Sequence, residues 1–180
     1  MVALCYHKEY RNMELAEQLK ADGIAKGLCQ DWQKKLKPGV SVKRLVALFI
    51  RGIDFCVKND YPTLEFMREN FKGISEPYGA FVDDEVHASN LPDVVLNGDC
   101  KGTLSYYGYS VSRVVVRHTS SISIRVYGNA HVTIDTFDNS TLNLVVAGTK
   151  ARVLVNKFGN SNVDVTGNGV KVAFKNKNTY

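Results

Sequence analysis

The sequence predicts an α+β protein, with an N-terminal helical region of about three helices followed by a repetitive β-solenoid, a single-stranded β-helix. Three observations predict it. Apolar residues recur at helical spacing in the first part and at strand spacing, every second residue, in the last. Turns of matching chemistry return at close to ten-residue intervals between about Asp93 and Phe174. Nearly every turn holds a glycine or asparagine, residues that accept a positive φ, followed by a small residue that can tuck under the bend.

Taken in order, Leu15, Leu19, Ile24, Leu28, Trp32 and Leu36 recur every four or five residues with charges between them, which predicts a first helix stopped by Pro38-Gly39. Ser41 suits the N-cap of a second helix that faces Leu45, Phe49, Ile53 and Cys56 inward and ends near Asn59-Asp60. Pro62 suits the first turn of a third, with Leu64, Met67 and Phe71 as its stripe and Gly73 as its close. Residues 1–74 thus read as a capping or oligomerisation region. The weakly periodic stretch 75–92 reads as a linker, and 93–180 as the repeat domain.

Within the repeat, Ile122/Ile124/Val126, Val132/Ile134, Leu142/Leu144/Val146, Val153/Val155, Val163/Val165 and Val170/Val172/Phe174 alternate with polar residues. The turns align as Tyr107-Gly108-Tyr109-Ser110, Tyr127-Gly128-Asn129-Ala130, Phe137-Asp138-Asn139-Ser140 and Phe158-Gly159-Asn160-Ser161, with Arg117-His118-Thr119-Ser120 and Ala147-Gly148-Thr149 between. An antiparallel meander gives similar spacing but rarely keeps one turn chemistry at a constant interval. Two or three strands per coil both satisfy the pattern. With two, one sheet would turn out Arg113, Val115, Arg117, His131, Thr133, Asp135, Arg152, Leu154, Lys171 and Lys175, and the other Ser123, Arg125, Asn143, Val145, Asn162 and Asp164.

The 180 residues carry a formal charge of +5, unevenly placed. Residues 1–90 hold 13 Lys and Arg against 13 Asp and Glu, and residues 91–180 hold 10 against 5, so an anionic partner is expected on the repeat. The first residues carry too short an apolar run for a secretion signal, and the longest apolar run, Leu45 to Ile50, is far below the roughly 20 residues that span a bilayer. Cys5, Cys29, Cys56 and Cys100 are widely spaced, without a C-x-x-C pair, and read as reduced thiols of a cytoplasmic protein.

No phosphate loop, nucleophile elbow or paired metal-ligand set is visible, so no enzyme activity, cofactor or metal is expected. Asp83-Asp84-Glu85 with His87 offers carboxylates, in a loop where such charges are ordinarily just solvated. His118 and His131 fall in or next to turns and read as structural histidines of the surface. The column Tyr107, Tyr127, Phe137, Phe158 could be an internal stack between coils or a platform for bases. Tyr106, Tyr107 and Tyr109 are its most exposed candidates, at the first coil. The candidate ligand-binding residues are Arg113, Arg117, His131, Arg152, Lys171, Tyr107 and Tyr109.

The corner pattern of aromatic-Gly-Asn-Ala/Ser followed by x-Val-x-Val resembles the Gly-Asn-Ala-type decapeptide β-solenoid repeats of bacterial and phage-encoded proteins. With Arg51-Gly52-Ile53-Asp54-Phe55-Cys56, Tyr61-Pro62-Thr63-Leu64-Glu65-Phe66 and Val95-Leu96-Asn97-Gly98, the chain is similar to uncharacterised phage and prophage proteins of gut bacteria. The resemblance implies a fold and no set of functional residues. The resulting expectation is a non-enzymatic binding or assembly protein of phage or mobile-element type. It would work in the host cytoplasm as a homo-oligomer, away from membranes, binding nucleic acid, a nucleotide signal or an acidic host protein, with counter-defence as one role. The alternative is a structural component of a virion or filament.

Overall fold

The structure, a computed structural model, describes residues 15–180. The chain divides into two compact units, the first ending at Tyr78 and the second running from Gly79 to Tyr180. The linker expected over 75–92 is therefore absent. Its first residues hold a short 3-10 turn, Glu76–Tyr78, and the rest forms the first two strands of the solenoid.

Among its described residues the first unit contains five α-helical segments in place of the three expected: α1 over residues 15–25, α2 Gln30–Gln33, α3 Val42–Arg51, α4 Ile53–Asn59 and α5 Leu64–Asn70. The expected first helix breaks where Gly27 takes a positive φ of 87°, and Ile24, assigned to its apolar stripe, is exposed, while Leu15, Leu19, Leu28 and Leu36 are buried. The expected second helix is split into α3 and α4 at Gly52. A Cβ there would lie 3.2 Å from the Trp32 ring, so the indole packs against the backbone only because the position is glycine. Ser41 caps α3 by accepting the Arg44 N–H at 3.3 Å, and Asp60 closes α4 in the left-handed region. Thr63, one residue after Pro62, is the N-cap of α5. The Tyr61 hydroxyl donates to the Leu19 carbonyl at 2.7 Å, tying α1 to the chain between α4 and α5. No helix among the described residues is long and apolar enough to cross a membrane.

The second unit is a parallel β-solenoid with two strands per coil. One sheet stacks β1 (Ala80–Val82), β3 (Asp93–Asn97), β5 (Val111–Val116), β7 (His131–Thr136), β9 (Arg152–Lys157) and β11 (Val170–Phe174). The other stacks β2 (Glu85–Ser89), β4 (Lys101–Tyr106), β6 (Ser121–Tyr127), β8 (Thr141–Ala147) and β10 (Asn162–Gly167). Every pairing is parallel, and strands twenty residues apart lie in register, as in Ile122 against Leu142. The inserted residue of the 147–151 turn is absorbed at the corner, so Val132 faces Val153 without a slip.

Alternation places one apolar set between the sheets. Val94, Val114, Ile134 and Val155 form one row across the first sheet, and Leu104, Ile124 and Leu144 one across the second, all essentially inaccessible. The small turn residues separate into one column per corner. Ala130 and Ala151 belong to one, and Cys100, Ser120, Ser140 and Ser161 to the other, all buried.

Candidate ligand-binding site

The outer face of the six-stranded sheet, where the basic residues were expected, is divided along its length. The half at the strand ends is closed. Val115, Asp135 and Arg117 are buried, each at 3% exposure or less, so Arg117 is not a surface residue and cannot serve as an accessible ligand. Residues 175–180 contribute to this closure. They turn back along the last coil, with the Lys175 N–H donating to the Lys157 carbonyl and the Gly159 N–H to the Lys177 carbonyl, and set the Tyr180 ring edge-on against Phe137 and Phe158.

Arg113 is half-buried and committed within this layer. Its Nη2 and Nε donate to Asp135 Oδ2 at 3.2 and 3.3 Å, and Nη2 also approaches the Tyr180 hydroxyl at 2.8 Å. The hydroxyl donates to Asp135 Oδ2 at 2.7 Å, and Asn156 Nδ2 donates to Oδ1 at 2.7 Å. The buried carboxylate is thereby paired and hydrogen-bonded on both oxygens, which is what its burial requires. Burial, with Asp135 second, pushes the Tyr180 phenol well above its ordinary pKa. Arg113 is a structural cation, not an open ligand group.

The expected aromatic column is two columns. At the corner built from residues 117–120, 137–140 and 158–161, Phe137 and Phe158 stack at 4.5 Å between centroids and are buried. This corner is laced by side chains on left-handed residues. His118 Nδ1 accepts from the Gly98 N–H at 2.9 Å, Asp138 Oδ2 accepts from the His118 N–H at 2.9 Å, and Asp83 Oδ1 accepts from the Asp99 N–H at 2.8 Å. Each joins one coil to the next, the structural use expected for His118. Asp84 accepts the Val82 N–H, and Glu85 pairs with His87 on the outer face of β2, so the acidic run is spent on a corner and a surface pair. Cys100 fills the small-residue position of the first such corner, and burial pushes its thiol pKa up. Among the described residues no group of three or more His, Cys, Asp or Glu could hold a metal ion.

The opposite corner is open. Tyr107 and Tyr127 stack there at 5.2 Å between centroids and 13° between planes, yet stay 41% and 42% exposed. Their overlap follows from backbone stacking. Asn129 N–H donates to the Gly108 carbonyl at 2.9 Å and His131 N–H to the Ser110 carbonyl at 2.8 Å, and the close approach of Gly128 to Gly108 leaves little room for a Cβ. Tyr109, at 86% exposure, stands on the same turn. Tyr106, expected among the exposed tyrosines, is instead fully buried in the core, because it ends β4 with the parity of Leu104.

Beside this corner Val111, His131 and Arg152 occupy one register row on the outer face, and all are exposed. Arg152 is anchored by Nη1, which donates to the carbonyls of Thr149 and Ala151 at 2.7 and 2.9 Å. Of the seven expected residues, Tyr107, Tyr109, His131 and Arg152 therefore come together at one corner. Lys171 is exposed but lies on β11 in the neighbouring row, beside Leu154.

Tyr127, read from sequence in the aromatic column but outside the candidate ligand-binding set, and Val111, which the sequence did not single out, complete the patch. The available signal was residue type, since this corner uses tyrosine, whose hydroxyl tolerates water, where the buried corner uses phenylalanine.

No protein-family model, curated protein or solved structure matches this chain.

Proposed function

We propose that the protein is a non-enzymatic binding protein whose ligand is a nucleobase-bearing anion, either a free nucleotide signal or a single-stranded nucleic acid. The observation that carries this reading is the exposed Tyr107–Tyr127 stack beside a row with His131 and Arg152. Aromatic faces held open to solvent offer a base a stacking surface of about 1–3 kcal/mol per base, and the neighbouring Arg152 guanidinium attracts its phosphate. The net positive charge of residues 91–180, which hold this corner, supports approach of an anion to it.

An acidic host protein is the less favoured ligand, because it would use the cations but has no need of a paired aromatic platform. The repeat-type resemblance supports a phage or mobile-element setting in a bacterial cytoplasm, where sequestering a nucleotide or nucleic acid would serve counter-defence.

The reading is tested by thermal melting with short single-stranded oligonucleotides and with cyclic dinucleotides at low and high salt. A rise in Tm at low salt that fades at high salt is expected for one of the two. The arm that responds identifies the ligand class, and no shift with either would leave a structural role in a virion or filament in front.

A further inference from the structure

Among the described residues the last coil, formed by β10 and β11, has no further coil stacked on it. Among the described residues β10 pairs only with β8 and β11 only with β9, which leaves one edge of each sheet unpaired. The core is open at the same place. Val163, Val165, Val170 and Val172 are only partly buried and Phe174 is 73% exposed, whereas the residues one coil earlier, Leu142, Leu144, Val153 and Val155, are at most 3% exposed. Free strand edges over an open apolar core are a template for further pairing.

We infer that this end is a two-fold interface with a second copy of the chain, in which β10 of each copy pairs antiparallel with β11 of the other. Two end-to-end two-fold arrangements are possible for a two-sheet solenoid, and both pair the edges antiparallel. One sets β10 on β10 and β11 on β11, bringing Asp164 toward Asp164 and Lys171 toward Lys171. The other sets β10, whose only charge is Asp164, against β11, which carries Lys171 and runs on into Lys175. Opposite charges across strands stabilise and like charges destabilise, so the second is selected.

Its register follows from taking Gly167, the end of β10, and Val170, the start of β11, as level across the two-residue turn between them. A two-fold that preserves level places Val165 against Val172 of the second copy and Val163 against Phe174 of the second copy, all on the inner face. Asp164 then falls on the outer face, diagonal to Lys171 and Lys175 of the second copy. Apolar meets apolar and acid meets base, and the exposed phenylalanine is covered. An isologous contact of this kind closes at two copies and does not propagate a filament.

This inference is independent of the nucleotide reading, since it uses neither Tyr107, Tyr127, His131 nor Arg152. It is tested by sedimentation velocity across a concentration series on the full chain. A dimer is expected whose dissociation constant rises about tenfold in Asp164→Lys and in Lys171→Asp, and returns toward the parent value in the double reversal. Circular dichroism melting of each variant keeps loss of folding distinguishable from loss of pairing. With Cys5 and Cys29 replaced by Ser, Thr166→Cys with Lys171→Cys should form a covalent dimer on mild oxidation. Within one copy these two positions face outward from opposite sheets and cannot bridge. A protein monomeric at every concentration, a dimer indifferent to both single reversals, or the absence of the disulfide-linked dimer would overturn the inference.

Discussion

The Tyr180 hydroxyl donates to Asp135 Oδ2 at 2.7 Å and so ties the last described residue to a carboxylate on β7, 45 positions earlier. Asp135 is buried with Arg113 as its ion-pair partner, and the phenol completes its hydrogen bonding. Tyr180→Phe should therefore destabilise the protein by about 1.5–3 kcal/mol, the usual worth of a hydrogen bond to a charged group. Tyr106 is the counterpart. Its buried hydroxyl has no hydrogen-bond partner among the described residues, so Tyr106→Phe should be neutral or stabilise by up to about 1 kcal/mol. Urea denaturation of the two variants would separate them, and an equal loss in both would contradict the assigned network.

Alkaline pH should unfold the protein before it affects most surface charges. Tyr61, Tyr106 and Tyr180 all have phenols pushed above the ordinary value of 10.0, with burial the largest cause in each. Because the folded-state pKa is the higher one, the unfolded chain loses these protons first. The stability they contribute is fully present below about pH 10 and falls as pH rises beyond it. Melting temperatures measured from pH 8 to 11 should hold level and then drop, and Tyr180→Phe with Tyr106→Phe should make the drop shallower.

The inward and outward faces of β7 differ by one residue in sequence. Ile134 is fully buried between the sheets, and Ile134→Asp should cost more than about 3 kcal/mol by placing an unpaired charge there. Thr133 is half-buried on the outer face, and Thr133→Asp should cost less than about 1 kcal/mol. Chemical denaturation of both variants would check the assignment, and similar losses would refute it.

Gly102, the second residue of β4, has a φ of 132°, and a Cβ there would collide with the Val86 carbonyl of the coil before. Gly102→Ala should destabilise the first coils by about 2 kcal/mol or more through strain and displaced pairing. Gly73→Ala, also at positive φ but with no described residue within 4 Å of the added carbon, should cost only about 1 kcal/mol. Thermal unfolding of the pair isolates the steric part.

The solenoid was legible because period-two alternation and ten-residue corners are properties of the chain itself, carried by residues such as Ile124, Ile134 and Leu144. Its first coil was not. Ala80-Phe81-Val82 is buried throughout and only three residues long, so it presents no alternation, and Asp83-Asp84 beside it looks like a solvated loop until the corner shows Asp83 bonding to the next coil. The helix breaks at Gly27 and Gly52 were hidden because an apolar stripe does not record where tertiary packing, such as Trp32 on Gly52, interrupts it. On the six-stranded sheet, parity placed Asp135 outward correctly, whereas Arg117 falls at a corner beyond β5 and is buried. What parity cannot see is that a face can be covered a second time, as Tyr180 covers Asp135.

The central claim rests on the open Tyr107–Tyr127 corner, and fluorescence anisotropy with a labelled single-stranded oligonucleotide and a labelled cyclic dinucleotide tests it most directly. Loss of the platform in Tyr107→Ala with Tyr127→Ala should weaken binding of the responding ligand by about tenfold or more, consistent with about 1–3 kcal/mol for a stacked base. Arg152→Glu should weaken it further and flatten its salt dependence. Binding with the same affinity in the parent and the double tyrosine variant, or no binding of either ligand at low salt, would contradict the claim.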